Sequence, residues 1–218
     1  MNSPLIQLLV LAGIAVFLIL RLKNVLGTRE GFEKPAVTDK PTARSGPALE
    51  VIEGGPDLDI ADHVAVDSEA GKALAEMKRI EPSFSASEFL GGARGAYEMI
   101  VMGYERGELS DIQPFLSEDI YESFVDGVAA REDQGLTIEA KFFGVRETTL
   151  VDASLDPVTK EAEIKIRFGA ELTSAVRDAD GKIVEGSTTE IKRQKDTWVF
   201  ARIMGSDDPN WLLVSTDG

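Results

Sequence analysis

The chain has 218 residues and a formal net charge of −15, with no cysteine and one histidine. A chain this acidic is unsuited to nucleic acid, because affinity for the phosphate backbone comes from Lys and Arg side chains. The lack of cysteine excludes disulfides, thiol nucleophiles and thiolate metal sites.

The first twenty residues are uncharged, and Gln7 is the one polar residue between Leu5 and Leu20. A helix over Leu5 to Leu20 would be about 24 Å long, so flanking residues must extend it to cross a hydrocarbon core of roughly 30 Å. We interpret residues 1–22 as one transmembrane helix. A cleaved signal peptide is the alternative, but no basic residue precedes the apolar run and no small-x-small cleavage site follows it.

Basic residues follow the apolar run directly. Residues 21–47 carry a local net charge of +3, which leaves −18 for residues 48–218. By the positive-inside rule, the N-terminus lies outside and the body lies on the cytoplasmic side, or on the matrix side in an organelle. The sequence therefore predicts a single-pass protein that contacts the lipid bilayer through residues 1–22.

A change of composition marks the next segment, where proline and glycine alternate with scattered charges to about residue 59. We interpret residues 23–60 as a basic, then Pro/Gly-rich, flexible linker and residues 61–218 as one soluble domain. His63 lies just past the linker without partners at metal-ligand or catalytic spacing, and is predicted to be a surface residue.

Helical periodicity begins near Asp67, behind a cap at Asp67 or Ser68, and ends at Pro82. A capping box of Ser85 and Glu88 then opens a longer helix, which Gly107 ends. Its predicted apolar face comprises Phe89, Ala93, Ala96, Tyr97, Ile100, Val101 and Tyr104.

Small residues make the first half of this helix narrow. Gly91, Gly92, Ala93, Gly95 and Ala96 predict close approach of another backbone, at a cost to helix stability of up to about 1 kcal/mol for each glycine. A short helix is predicted to start at Ser110, and another at Ser117 that ends at Gly135.

After Gly135 the apolar period changes to two. Residues 161–173 alternate cleanly and predict a long half-buried strand. The other predicted elements are strands over 136–147, 148–156, 183–194 and 198–203, a hairpin at Asp180-Gly181, a turn at Lys195-Asp196, and an edge element over 211–215.

Helices that precede a meander of strands predict an α+β fold. Gly144 and Gly169 are predicted bend points of the sheet. A curved antiparallel sheet packed on N-terminal helices would form a cone with a pocket, by analogy with the nuclear-transport-factor-two superfamily.

Several stretches carry a family resemblance: residues 84–101, residues 117–124, the C-terminal stretches 198–202 and 208–214, and the apolar N-terminus with residues 26–32. They resemble the bacterial TimA family. That family is similar to the C-terminal domain of the peripheral scaffold of the mitochondrial import motor, the Tim subunit of forty-four kilodaltons.

The resemblance implies an adaptor that recruits a protein partner to the inner membrane, and we predict that it has neither enzymatic activity nor a cofactor. It also implies the kind of partner, a DnaK-type chaperone or a membrane complex related to protein transport. The alternative is a module that binds a lipid chain or an apolar peptide in the cone pocket, and the lining of that pocket would discriminate the two.

Catalysis is disfavoured by the residues themselves, because the predicted inward faces hold no histidine, paired carboxylates or phosphate-binding glycine loop. Two isolated arginines, Arg94 and Arg202, are predicted to pair with Glu98 or another nearby carboxylate, with binding of a phosphate as the alternative. The candidate residues for a pocket or partner surface are Phe84, Phe89, Arg94, Tyr97 and Tyr104, with core packing as the alternative role of the aromatic ones.

Overall fold

A computed structural model describes residues 57–217. The predicted anchor and all but the last four residues of the predicted linker lie outside the described residues. Between residues 57 and 217, no helix is both long enough and apolar enough to cross a bilayer.

Five α-helices precede the strands in the described part of the chain. They are α1 (Leu58–Ala61), α2 (Glu69–Ile80), α3 (Ala86–Arg106), α4 (Leu109–Ile112), which runs into a 3-10 turn over Gln113–Phe115, and α5 (Glu118–Glu132). The four strands are β1 (Thr137–Leu155), β2 (Glu161–Arg177), β3 (Ile183–Ile203) and β4 (Leu212–Asp217).

The helix caps confirm most of the predicted helix starts. The Ser68 hydroxyl accepts the Gly71 N–H at 3.0 Å, and the Ser85 hydroxyl accepts the Glu88 N–H at 3.2 Å. The Ser117 hydroxyl caps α5 in the same way. The prediction for Ser110 is wrong, because this residue lies inside α4, which begins without a side-chain cap.

Gly107 ends α3 in the left-handed conformation, with a φ of 76°. The next N–H, that of Glu108, donates to the Gly103 carbonyl at 2.9 Å. This pairing satisfies a carbonyl that the end of a helix otherwise leaves open.

The four strands form one antiparallel sheet in the order β1-β2-β3-β4. Strand β2 shows the predicted alternation, and its inward side chains are all 0–2% exposed: Ala162, Ile164, Ile166, Phe168, Ala170 and Leu172. This face packs with α2 and α3 in one apolar core. The predicted α+β class is therefore confirmed, and the arrangement is consistent with the cone of the analogy.

Two predicted strand breaks are wrong. Residues 136–147 and 148–156 form the single strand β1, in which register shifts, one of them at Gly144, change the phase without ending the ladder. Gly169 of β2 pairs with Glu147 of β1. The register shift at this point lies in β1, between Val145 and Glu147, and not in β2. The predicted turn at Lys195-Asp196 lies inside β3, because both residues pair with β2.

Residues 57–60 were predicted to belong to the linker, but they are part of the folded domain. Asp57 caps α1, and Ile60 is 1% exposed within the core. His63 is half-buried rather than fully exposed, and its Nε2 lies 2.9 Å from the Ser87 hydroxyl.

The prediction that Gly91, Gly92 and Gly95 approach another backbone is wrong for the described chain. All three are exposed, and a Cβ added at any of them would have nothing within 4 Å. They face away from the core because α3 buries the face that contains Phe89 and Tyr97.

Gly71 in α2 and Gly95 in α3 should respond oppositely to alanine. A Cβ at Gly71 would lie 2.4 Å from the Ala65 carbonyl oxygen, so Gly71→Ala should lower the free energy of unfolding by about 2 kcal/mol. Gly95→Ala should raise it by about 1 kcal/mol through helix propensity. Urea unfolding followed by tryptophan fluorescence measures both, and equal effects would contradict the packing at Gly71.

Candidate functional site

An aromatic groove lies between the start of α3, strand β3 and the segment before β4. Its volume is about 340 Å³. We call it the aromatic groove, and its main lining residues are Phe84, Phe89, Gly92, Ala93, Ala96, Phe115, Phe200, Arg202 and Trp211.

Trp211 is the centre of the aromatic cluster. Its ring centroid lies 4.6 Å from that of Phe89 and 6.0 Å from that of Phe84. Phe89 in turn meets Phe200 edge to face at 6.2 Å. Such contacts fix the rings in defined positions, so the groove has a preformed apolar floor.

Arg202 lies beneath this cluster and is almost completely buried. Its side chain is 8% exposed, and its guanidinium pairs with the Glu81 carboxylate at 2.5 Å. The guanidinium carbon lies 5.3 Å from the centre of the Trp211 ring, and Nη1 donates to the Pro209 carbonyl at 3.3 Å. The predicted pairing of Arg202 with a carboxylate is confirmed.

The pair fixes the base of the groove. The hydrogen bond from Arg202 is the main reason that the pKa of Glu81 is lowered from its ordinary value. Glu81 therefore stays ionised at neutral pH, and the ion pair connects the end of α2 to β3 and to the segment that carries Trp211.

The opposite wall of the groove is unusually low. Gly92, Ala93 and Ala96 form it, so no bulky side chain of α3 closes the groove on that side. Glu88 stands exposed at the rim. A groove with an aromatic floor, a low wall and an acidic rim suits an apolar or aromatic side chain of a peptide.

Asp59 holds the start of α3 beside the groove. It accepts the Ala86 N–H at 2.8 Å and the Ser87 N–H at 2.9 Å, and Lys78 Nζ lies 3.1 Å away. Burial alone would raise the pKa of Asp59, but these hydrogen bonds outweigh it and hold the pKa far below its ordinary value of 3.8.

Asp59→Asn should therefore lower the free energy of unfolding at pH 7 by about 2 kcal/mol. Because the folded-state pKa is depressed, the contribution of Asp59 is complete above its ordinary pKa of 3.8 and is lost as the pH falls below that value. The wild-type chain and the variant should thus converge in acid. A difference that stays constant from pH 7 to pH 3 in urea titrations would contradict this role of Asp59.

The structure separates the five candidate residues instead of joining them. Phe84 and Phe89 line the aromatic groove. Tyr97 is completely buried, stacks on Phe168 at 4.5 Å and donates its hydroxyl hydrogen to Asp196, so it lies in the core, which is the alternative role given for the aromatic candidates.

Tyr104 and Arg94 lie elsewhere. Tyr104 is half-buried, 4.7 Å from Phe124 in α5. Arg94 is exposed and donates to the Val145 carbonyl at 2.7 Å, so the predicted pairing with Glu98 is wrong. This arginine connects α3 to β1 and takes no part in the groove.

Glu81 and Phe115 also line the groove, and neither was predicted from the sequence. In the sequence Glu81 is a charged residue between α2 and Pro82, with nothing nearby to mark it. Its partner Arg202 is 121 residues away, and the two are brought together by the fold. Trp211 lies in the C-terminal stretch 208–214 that carries the family resemblance, and this resemblance was the one signal in the sequence that pointed to it.

Comparisons with known proteins give a family match over most of the chain. The family model described as the Tim44-like domain matches residues 70–218. The human mitochondrial import inner membrane translocase subunit TIM44 is 22% identical over 151 residues, which cover 67% of this chain and 33% of that protein. The chain thus spans about a third of the length of this curated relative.

Among solved structures, the intermembrane space region of the chloroplast protein ARC6 is similar, with a TM-score of 0.37 and 10% identity. The match covers 57% of this chain and 94% of that one.

Proposed function

This chain belongs to the Tim44-like domain family, and from that premise we propose that it is a non-enzymatic adaptor that holds a protein partner at a membrane. In the finer form of the proposal, it is a bacterial protein of the TimA type. It is anchored in the inner membrane by residues 1–22, and its domain lies on the cytoplasmic side.

The observation that carries the proposal is the aromatic groove. The groove is open to solvent and its rings are held by mutual contacts, with Trp211 half-buried and 4.6 Å from Phe89. Aromatic side chains in such a position bind apolar side chains of a protein partner with little loss of conformational entropy. We infer that the partner inserts an apolar or aromatic side chain between Trp211 and the low wall at Gly92.

The filled interior of the domain favours an adaptor over a lipid carrier. The space between α3 and the sheet is occupied by Tyr97, Phe168 and Trp198, with Tyr97 and Trp198 4.6 Å apart. A carrier of acyl chains needs a continuous apolar cavity, and these three side chains fill the space where such a cavity would lie. Binding of an apolar peptide, one form of the alternative function, is compatible with the groove. Binding of a lipid chain, the other form, is tested by the experiment below.

The charge pattern supports the membrane tether and its direction. The basic residues after the apolar N-terminus favour retention on the cytoplasmic side, and the net charge of −18 over residues 48–218 disfavours spreading of the domain on anionic headgroups. The tether would thus hold the domain near the membrane while its groove stays free for a protein.

The full chain, purified from detergent-solubilised membranes of its native host, tests the proposal. Before solubilisation, we expect the chain to stay with the membranes when they are washed with alkaline carbonate. After solubilisation, we expect it to co-purify with a DnaK-type chaperone or a membrane complex in a fixed ratio to the chain. Recovery of lipid without a protein in constant ratio would instead favour the lipid-binding alternative. Release of the chain by carbonate would contradict the anchor.

A further inference from the structure

A second cavity lies on the other side of Tyr97 from the aromatic groove, between α3, α5 and the strands β3 and β4. Its volume is about 310 Å³. We call it the acidic cavity, and its lining residues include Tyr104, Glu105, Ser123, Phe124, Gln194 and Asp196. No Lys or Arg side chain lines it within residues 57–217.

Asp196 is a buried carboxylate whose two hydrogen-bond donors are neutral. The residue is 8% exposed and lines the cavity. Its Oδ2 accepts hydrogen bonds from the Tyr97 hydroxyl and, at 2.8 Å, from Gln194 Nε2. Both of these donors are neutral groups, and within the described chain neither a Lys nor an Arg side chain lines the cavity around Asp196. A buried carboxylate is costly when its charge is not balanced.

The neutral donors do not supply that balance. Burial first, and then the hydrogen bond to Asp196, raise the pKa of Tyr97 far above its ordinary value. Tyr97 therefore stays protonated and neutral and donates one hydrogen bond, and the amide of Gln194 is neutral at every pH. Arg131 donates to the Tyr104 and Glu105 carbonyls, and its guanidinium carbon lies 5.1 Å from the centre of the Tyr104 ring, but it does not line the cavity. A cation bound in the cavity would therefore give Asp196 a charged partner that no lining residue supplies.

The walls of the cavity favour an organic cation. Glu105 adds a second carboxylate, which also accepts the Ser174 hydroxyl at 2.9 Å. The Tyr104 and Phe124 rings, 4.7 Å apart, and Trp198 add aromatic surface. Carboxylates bind the cationic head, while aromatic rings attract the charge and cover the aliphatic chain that carries it.

We propose that the acidic cavity binds a primary ammonium or guanidinium group on a short aliphatic chain, with Asp196 as its principal anion. The chemistry is shared by a free alkylamine and by a Lys or Arg side chain of a protein. The proposal does not rest on the adaptor function, because the cavity is separate from the aromatic groove.

Titration of the full chain in detergent with n-butylammonium, n-butylguanidinium and neutral n-butanol tests the proposal. Saturation-transfer NMR of each probe measures its affinity. We expect both cations to bind at least tenfold more tightly than n-butanol, since only they can balance Asp196. Equal affinity of n-butylammonium and n-butanol, or no binding of either cation at about 10 mM, would overturn the proposal.

Variants place the binding in the cavity. Asp196→Asn should weaken binding of both cations at least tenfold. Ser123→Leu adds bulk from an exposed position on α5 and should block binding while it leaves the Asp196 network intact, so the test stands even if Asp196→Asn fails to fold. Glu122→Gln, an exposed neighbour that does not line the cavity, is the matched control. Unchanged affinity in Ser123→Leu would overturn the proposal.

A further probe distinguishes the two sources of the cation. Nα-acetyl-lysine methylamide presents the same ammonium group attached to a peptide backbone. Binding at least as tight as that of n-butylammonium would identify a protein side chain as the ligand. Binding of n-butylammonium alone would identify a diffusible amine, and both results support the cavity as a cation site.

Discussion

Replacement of Arg202 by leucine is expected to lower the free energy of unfolding by about 3 kcal/mol. The guanidinium is nearly buried, and its removal leaves the Glu81 carboxylate, 25% exposed, without its partner. The substitution also removes the contact beneath Trp211 and the bond to the Pro209 carbonyl. Urea unfolding followed by the fluorescence of Trp211 and Trp198 reports the loss.

Two further variants separate the buried ion pair from a general effect of losing an arginine. Arg193→Leu removes an arginine that is 85% exposed and should change the free energy of unfolding by less than about 0.5 kcal/mol. The double variant Glu81→Leu/Arg202→Leu should be more stable than Arg202→Leu, because it leaves no unpaired buried charge. The account would be contradicted if the double variant lost as much free energy of unfolding as Glu81→Leu and Arg202→Leu lose in sum.

The substitution Gly92→Trp is expected to lower recovery of the protein partner at least tenfold, because the added ring would fill the aromatic groove. Gly92 lines the groove, and a Cβ there has nothing within 4 Å, so the added ring can enter the groove without displacing the core. The measurement is the ratio of partner to chain in co-purification from solubilised membranes.

Gly91→Trp is the matched control for this variant. Gly91 is the preceding residue of α3, is equally exposed and equally open, and does not line the groove. It should keep the wild-type ratio of partner to chain. Equal loss in both variants would show that the outer face of α3, and not the groove, contacts the partner.

Local patterns predicted the elements whose side chains repeat without interruption. Strand β2 alternates over its whole inward face, and the serine caps at Ser68, Ser85 and Ser117 mark the starts of three helices. In these segments the chemistry that forms the element lies within a few residues.

The errors fall where a distant residue determines the local structure. Asp196 next to Lys195 resembles a turn, yet both residues lie within β3 because they pair with β2, and Tyr97, ninety-nine positions earlier, donates to Asp196 in the core. In strand β1 the alternation of exposed and buried side chains is interrupted near Glu147. Register shifts return the apolar side chains to the inner face of the sheet, so β1 continues as one strand. Neither the partner of Asp196 nor the bulges of β1 can be inferred from neighbouring residues.

The candidate site was predicted only in part for the same reason. Phe84 and Phe89 are near each other in sequence and do lie together. Their groove is completed by Trp211 and Arg202, which are brought to α3 by the sheet. Tyr97 and Tyr104 continue the apolar face of α3, and a helical pattern cannot distinguish its buried centre from its ends.

Site-specific crosslinking tests the central claim, that the aromatic groove contacts a protein at the membrane. The chain has no cysteine, so Gly92→Cys gives one reactive thiol in the groove and Arg167→Cys one on the opposite, exposed face of the sheet. With a short thiol-directed photocrosslinker in intact membranes, we predict a defined protein adduct from position 92 and none from position 167. Adducts of equal yield from both positions, or lipid adducts alone from position 92, would contradict the claim.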